Sequence, residues 1–224
     1  MPGQARHDGR LDWSDAPSHP LLMQTPPFAK TLFKCDDPTS LKLENGNRFI
    51  RKLPDDRSLG YLHKLFTPLD DAGLERLHQA LEQPFPAEFS SFLQWSNGAS
   101  LFDNKIYLFG GIGSLSRDLS PEKQQPISID DNNRIFAATN GARWADGWRV
   151  IGSVVGWSSS YAIELHRDGR CAITSEQVAR SMPSFTQCLS TVIDRVDACF
   201  SCDGIIDRSH AELESALASL IRPQ

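Results

Sequence analysis

A glycine-rich turn after a strand can present backbone N–H groups to a phosphate, so Phe109-Gly110-Gly111-Ile112-Gly113-Ser114 is the first stretch to weigh for chemistry. It lacks the third glycine of a dinucleotide fingerprint. A polar segment with Pro121 and Pro126 follows where the phosphate-binding helix would begin. The expectation is a strand end that needs φ > 0, with no nucleotide or other cofactor. Gly156-Trp157-Ser158-Ser159-Ser160 falls short of a nucleophile elbow, because the closing glycine is absent and a strand pattern follows. Cys199-Phe200-Ser201-Cys202 has C-x-x-C spacing, but a structural zinc site needs two further ligands and only His210 is near in sequence. The pair also falls where a helical pattern ends, and the dipole there disfavours a thiolate. Packing cysteines and no metal are expected. None of the six histidines (His7, His19, His63, His78, His166 and His210) has the spacing of a metal-binding helix. His78, beside Leu77 and Leu81, reads as a partly buried helix residue. The acidic pairs Asp36-Asp37, Asp70-Asp71 and Asp130-Asp131 sit at helix starts or turns, where capping accounts for them. The sequence nominates no catalytic residue.

The aromatic residues resist so simple an assignment. Trp95 lies two positions before Asn97-Gly98, Trp144 and Trp148 flank Ala145-Asp146-Gly147, and Trp157 and Tyr161 bracket the serine run. Core packing is the ordinary fate of tryptophan. All of these nevertheless sit at the ends of elements, where binding surfaces gather, and aromatics are enriched at interface centres.

The elements that position them follow from periodicity. Residues 1–30, interrupted by Pro2, Pro17, Pro20, Pro26 and Pro27, read as an arm in which Leu21–Met23 docks on the body. Asn45-Gly46 predicts a hairpin over residues 39–53. Asp70 caps a helix carrying Leu74, Leu77 and Leu81, and Pro84-Phe85-Pro86 separates it from a second helix with Phe85, Phe89, Phe92 and Leu93 on one stripe. Strands are predicted at Lys105–Phe109, Trp148–Val155, Tyr161–Leu165 and Cys171–Thr174, with a short helix near Arg134–Asn140. A wide apolar stripe from Phe185 to Phe200 and a capping box at Ser209 and Glu212 close the chain with two helices. Helices grouped around consecutive short strands imply an α+β domain, an antiparallel sheet with helices on one side. The domain is drawn as residues 61–224, preceded by an extension over 1–60.

In this order the motifs resemble the SUKH superfamily, the Smi/Knr-like proteins. Pro86-Ala-Glu-Phe-Ser-Ser-Phe-Leu-Gln-Trp-Ser-Asn97-Gly98-Ala-Ser-Leu-Phe102 is similar to the family's helix followed by Asn-Gly and a strand. Tyr107–Gly110 is similar to that aromatic-rich strand, Asp146-Gly-Trp-Arg-Val-Ile-Gly152 to its "W..IG" strand, and Tyr161–Leu165 with Asp168-Gly169 to the hairpin that follows. The likeness spans about residues 69–196. It departs at Leu81-Glu-Gln-Pro-Phe-Pro86, where the family usually has Leu-Gly-x-x-Leu-Pro. The resemblance implies a fold without catalytic machinery and a binding role: bacterial members are commonly immunity proteins that neutralise toxins, often nucleases, and fungal members are regulatory interaction proteins.

Composition sets the outer limits. The 224 residues are 40% hydrophobic and 23% charged, with a formal net charge of −5. Residues 61–200 hold 12 Lys and Arg against 16 Asp and Glu. An acidic chain is a poor direct binder of nucleic acid or anionic membrane, and no apolar run approaches the roughly 20 residues of a membrane span. With no signal-peptide pattern and five irregularly spaced cysteines, the expectation is a soluble, reduced, cytoplasmic protein. The leading expectation is a non-enzymatic immunity protein that attracts a basic toxin domain, such as a nuclease, through its acidic body. A regulatory scaffold of the Smi/Knr type and a small hydrolase assembled from distant residues are the alternatives. The expected contact residues are Trp95, Asn97, Asp146, Trp148, Trp157 and Tyr161, with Trp148 compatible with either core or contact surface.

Overall fold

The computed structural model describes residues 25–54, 60–114, 116–118, 120–156, 158–175, 178–201 and 209–221. Nine strands form one sheet in which every neighbour is the next strand of the chain and every pairing is antiparallel. They are β1 (Leu41–Lys42), β2 (Arg48–Lys52), β3 (Tyr61–Leu65), β4 (Ala99–Leu101), β5 (Ile106–Leu108), β6 (Trp148–Val155), β7 (Ser160–His166), β8 (Cys171–Thr174) and β9 (Ala179–Met182). The helices among the described residues are α1 (Ala29–Phe33), α2 (Asp71–Ala80), α3 (Ala87–Trp95), α4 (Ile129–Thr139), α5 (Gly141–Asp146), α6 (Phe185–Asp197) and α7 (His210–Ala218). The chain is an α+β protein built on an antiparallel sheet, as the order of its periodic segments implies.

Local chemistry sets most boundaries. Asn45 and Gly46 turn β1 into β2 at the expected hairpin. Asp70, Ser128 and Ser184 each accept a hydrogen bond from a first-turn N–H of α2, α4 and α6, and Ser209 with Glu212 forms the capping box of α7. Helix α3 stops because Ser96 turns extended and donates its hydroxyl to the Gly98 carbonyl at 2.7 Å. Gly98 then runs at φ +82°, and a Cβ there would sit 2.6 Å from the Leu108 carbonyl oxygen. Only glycine fits both demands.

Three strands escape the periodicity. β3 is buried at four of five positions and shows no apolar–polar alternation, and β4, Ala-Ser-Leu, is only three residues long. β9 is a short, mostly exposed edge strand. Because β2 pairs with β3, the boundary drawn at residue 60 falls between two bonded strands. Helix α1 begins within the last residues of the segment read as an arm, and its Ala29 and Leu32 join the core with Phe28. The docking expected of Leu21–Met23 lies outside the described residues. Cys35 is disulfide-bonded, a departure from a fully reduced chain, whereas Cys171, Cys188 and Cys199 are buried thiols.

Cross-strand register separates the two faces. Ala99, Leu108, Gly152, Ile163 and Ile173 form one buried row, on the side where α3 and α6 meet through Phe89, Phe92 and Phe185. Lys64, Ser100, Tyr107, Ser153, Ala162 and Thr174 form the row on the other side, mostly half-exposed. β5 is too short to pair with the start of β6. There the fully buried Asn133 of α4 takes the place of a strand residue, accepting from Val150 N at 2.9 Å and donating to Val150 O at 2.7 Å.

Candidate functional site

Helix α5 ends at Gly147, whose φ of +100° turns the chain into β6 and sets Asp146 and Trp148 side by side. The Trp148 indole N–H donates to Asp146 Oδ2 at 3.1 Å. Across the ladder Trp148 is paired with His166, and their rings lie 5.0 Å apart. The Arg143 guanidinium lies 4.4 Å from the centre of the Trp148 ring, and that of Arg170 lies 5.6 Å from it. Cation–π contacts of this kind contribute about 0.5–1 kcal/mol each where exposed, and more where water is excluded.

Each cation has an acidic partner. Arg143 donates to Glu164 Oε2 through Nε at 2.7 Å and through Nη2, while the Thr174 hydroxyl donates to Glu164 Oε1 at 2.7 Å. Glu164 is 3% exposed, so its charge depends on these donors. Arg170 donates to Asp168 Oδ2 at 2.8 Å. His166 places Nδ1 2.7 Å from Asp168 Oδ1 and Nε2 2.8 Å from the Asp146 carbonyl. Burial pushes the Asp168 carboxyl up, but hydrogen bonds from Arg170 and His166, with the His166 charge, hold it well below the usual carboxylate range. The result is a tryptophan roofed by ionic side chains whose outer members face water: Asp146 and Arg170 side chains are 66% and 50% exposed.

Next along β6, Arg149 is 4% exposed and donates to no carboxylate among the described residues. It donates twice to Leu81 O, at 3.1 and 3.0 Å, and to the Trp144 and Trp148 carbonyls, tying the C-terminal ends of α2 and α5 to the sheet. Burial pulls its guanidinium down to about 10, while Glu82 acts the other way. The partial negative charge at two helix C-termini keeps the cation tolerable there.

Of the expected contact residues, the structure brings together Asp146 and Trp148. Trp95, 8% exposed, is wedged between α1 and α3 against Phe28, Phe33 and Phe92; it is core. Asn97 is also buried, and its amide clasps Gly111 in both directions at 2.7 Å. Tyr161, 6% exposed, pairs with Val154 in the core. All three are enclosed by packed side chains and backbone of the fold, without the exposed ionic groups that cover Trp148. Trp157 lies outside the described residues. Around Asp146 the charges are mixed, with Arg143 and Arg170 between the acids. Sequence reasoning missed Arg143, Glu164, His166, Asp168, Arg170 and Thr174. Glu164 and His166 alternate on β7, a period-two signal that places both on one face.

The other sequence motifs have structural roles. Gly110 accepts from Ile129 N and donates to Ile127 O, so the glycine run makes a bridge to the segment before α4. Ser158 N and the Ser159 hydroxyl both donate to Glu214 of α7. Among the described residues no group of three or more His, Cys, Asp or Glu could hold a metal ion, and Cys202 lies outside them. No described helix is long and apolar enough to cross a membrane.

No protein-family model matches the chain, and no curated protein matches it.

Proposed function

We propose that the chain is a non-enzymatic, SUKH-like protein-binding domain, an immunity protein that neutralises a toxin by contact through the β6–β8 end of its sheet. The observation that carries this reading is the roof of Arg143, Arg170, Asp146 and Asp168 over Trp148. Tryptophan and arginine are the residue types most enriched where binding energy concentrates, and here they stack with exposed ionic groups around them. The segments that carry the family resemblance support it as well. They form α3, the Asn97 clasp, β4, β5 and the β6–β7 pair, the framework from which the stack projects.

Mixed charge favours a contact surface that also carries both signs, with the net charge of −5 acting at longer range to draw in a basic toxin. The test is co-expression with the protein encoded by the neighbouring gene. Growth should be rescued by the wild-type chain and lost with an Arg143→Glu, Arg170→Glu double variant whose thermal melt confirms that it is folded. Growth inhibition that the wild-type chain does not relieve would remove the immunity reading.

A further inference from the structure

The open side of the sheet holds a second feature, away from the Trp148 stack and independent of the function proposed above. Over β3–β5 lies a pocket of about 300 Å³. Its floor is Phe66, Ala99 and the cross-strand row Lys64, Ser100 and Tyr107, and its outer wall includes Pro126 and Ile127. The register puts Lys64 and Tyr107 on the two strands flanking Ser100, so their side chains rise from the same face two strands apart.

Two donors in this pocket are open to a ligand. Neither the Lys64 ammonium nor the Tyr107 hydroxyl makes a hydrogen bond or ion pair with any described residue, although both are half-buried. The Ser100 hydroxyl, between them, donates to Asn104 Oδ1 at 2.7 Å, which leaves its oxygen turned to the protein's own amide. Charges of both signs stand around these donors: Asp118 and Lys123 line the pocket, Asp118 accepting from Ser120 N at 2.8 Å, and Asp103, which accepts from the Asn104 side-chain amide, acts through its charge on Lys64 and Tyr107. At the rim Ile127 is 40% exposed, one of only three large apolar side chains so exposed among the described residues. Donors at the floor and carbon at the rim are the arrangement of a small-ligand site, mostly apolar with a few convergent polar groups.

We propose that this pocket binds a small monocarboxylate with an apolar body, its carboxylate held by the Lys64 ammonium and the Tyr107 hydroxyl and its body packed on Phe66, Pro126 and Ile127. A carboxylate is acceptor-only and satisfies both donors at once, one of them by a charge-assisted bond. The environment agrees. Burial lowers the Lys64 ammonium and raises the Tyr107 hydroxyl from their ordinary values, with Asp103 opposing the first shift and adding to the second. An anion between them relieves the cost of the desolvated cation.

The test uses the full chain and phenylacetate as the probe, followed by amide and side-chain NMR. Saturable shifts of Lys64, Tyr107 and Ile127 are expected, with affinity reduced about tenfold or more in Lys64→Met and severalfold in Tyr107→Phe. The Tyr107→Phe variant removes a single oxygen, so it reads out the site even if Lys64→Met disturbs the fold. The neutral isostere 2-phenylethanol should bind at least about tenfold more weakly, and inorganic phosphate, which has no apolar body, more weakly still. Absence of saturable shifts, equal binding of 2-phenylethanol or phosphate, or affinity unchanged in both variants would each overturn the proposal.

Discussion

Trp95 and Trp148 are shielded from water to nearly the same degree, at 8% and 6% exposure, yet what covers them is opposite in kind. Around Trp95 the cover is carbon: Phe28, Phe33 and Phe92 meet it with ring centroids 6.1–6.3 Å away. Around Trp148 the cover is ionic: Arg143, Arg170, His166 and Asp146. A carbon cover belongs to close-packed neighbours that cannot leave without opening a cavity. An ionic cover ends in groups that water already solvates, so a partner's charges can take their place. Burial by itself does not separate core from contact surface; the chemistry of the covering atoms does.

The largest expected effect tests the carbon-covered side. Trp95→Ala should destabilise the protein by about 3–5 kcal/mol, as much as Phe92→Ala, because each leaves a cavity among aromatic rings. Partner binding by the folded fraction should be unchanged. A Trp95 variant with wild-type stability in a denaturant titration would return that residue to the surface.

Next comes a contrast between two histidines. His63 is fully buried against the Phe102 ring, takes the Phe102 N–H on Nδ1, and has no partner for Nε2 among the described residues. Burial, with a smaller contribution from the Lys34 charge, lowers it to about 3 from an ordinary 6.5. The folded protein therefore binds this proton less tightly than the unfolded chain. Its contribution to stability is complete above about pH 6.5 and is lost on the way down to about pH 3, at roughly 1.4 kcal/mol per pH unit. By pH 5 about 2 kcal/mol should be gone. The imidazole carbon resonances of His63 should stay those of a neutral ring while the protein is folded at pH 5. Titration of that ring near pH 6 would show that water reaches it.

A comparable loss is expected from Arg143→Ala, which leaves the buried Glu164 carboxylate with Thr174 as its one remaining side-chain donor among the described residues. About 2 kcal/mol is expected, less than for a fully buried pair because Arg143 itself is partly exposed. The double substitution Arg143→Ala, Glu164→Gln should recover part of that loss, since no uncompensated charge remains. A double variant as unstable as the single one would mean that packing, not charge, is what Arg143 supplies.

The smallest effect should come from Arg170→Ala. At 5.6 Å from the Trp148 ring and half exposed, Arg170 contributes about 0.5–1 kcal/mol to stability. Its loss should weaken partner binding by more than it destabilises the fold. Equal effects on both would make the Trp148 stack a structural device and dissolve the contrast with Trp95.

Much of the fold was legible where side-chain period and capping chemistry agree. The Asp70 cap, the stripe Phe85, Phe89, Phe92 and Leu93, the Asn45-Gly46 hairpin, four of the strands and the Ser209–Glu212 capping box all follow from local rules, and all are present. β3 was hidden because a strand buried at nearly every position loses the alternation that marks a strand, and β4 because three residues are too few to show one. The candidate site was half legible. Asp146 and Trp148 stand out by type and position, whereas Arg143, Glu164 and Arg170 look like ordinary surface charges until β6, β7 and α5 are assembled.

Residue types and spacing determined by themselves the caps of α2 and α7 and the Asn45-Gly46 turn, because each depends on interactions within a few residues. Whether a given tryptophan is core or roof was decided by tertiary structure alone. Trp95 and Trp148 both sit at element ends in the sequence. Their surroundings come from residues as far away as Phe28 for one and Arg170 for the other, brought close only when the sheet and its helices close around them.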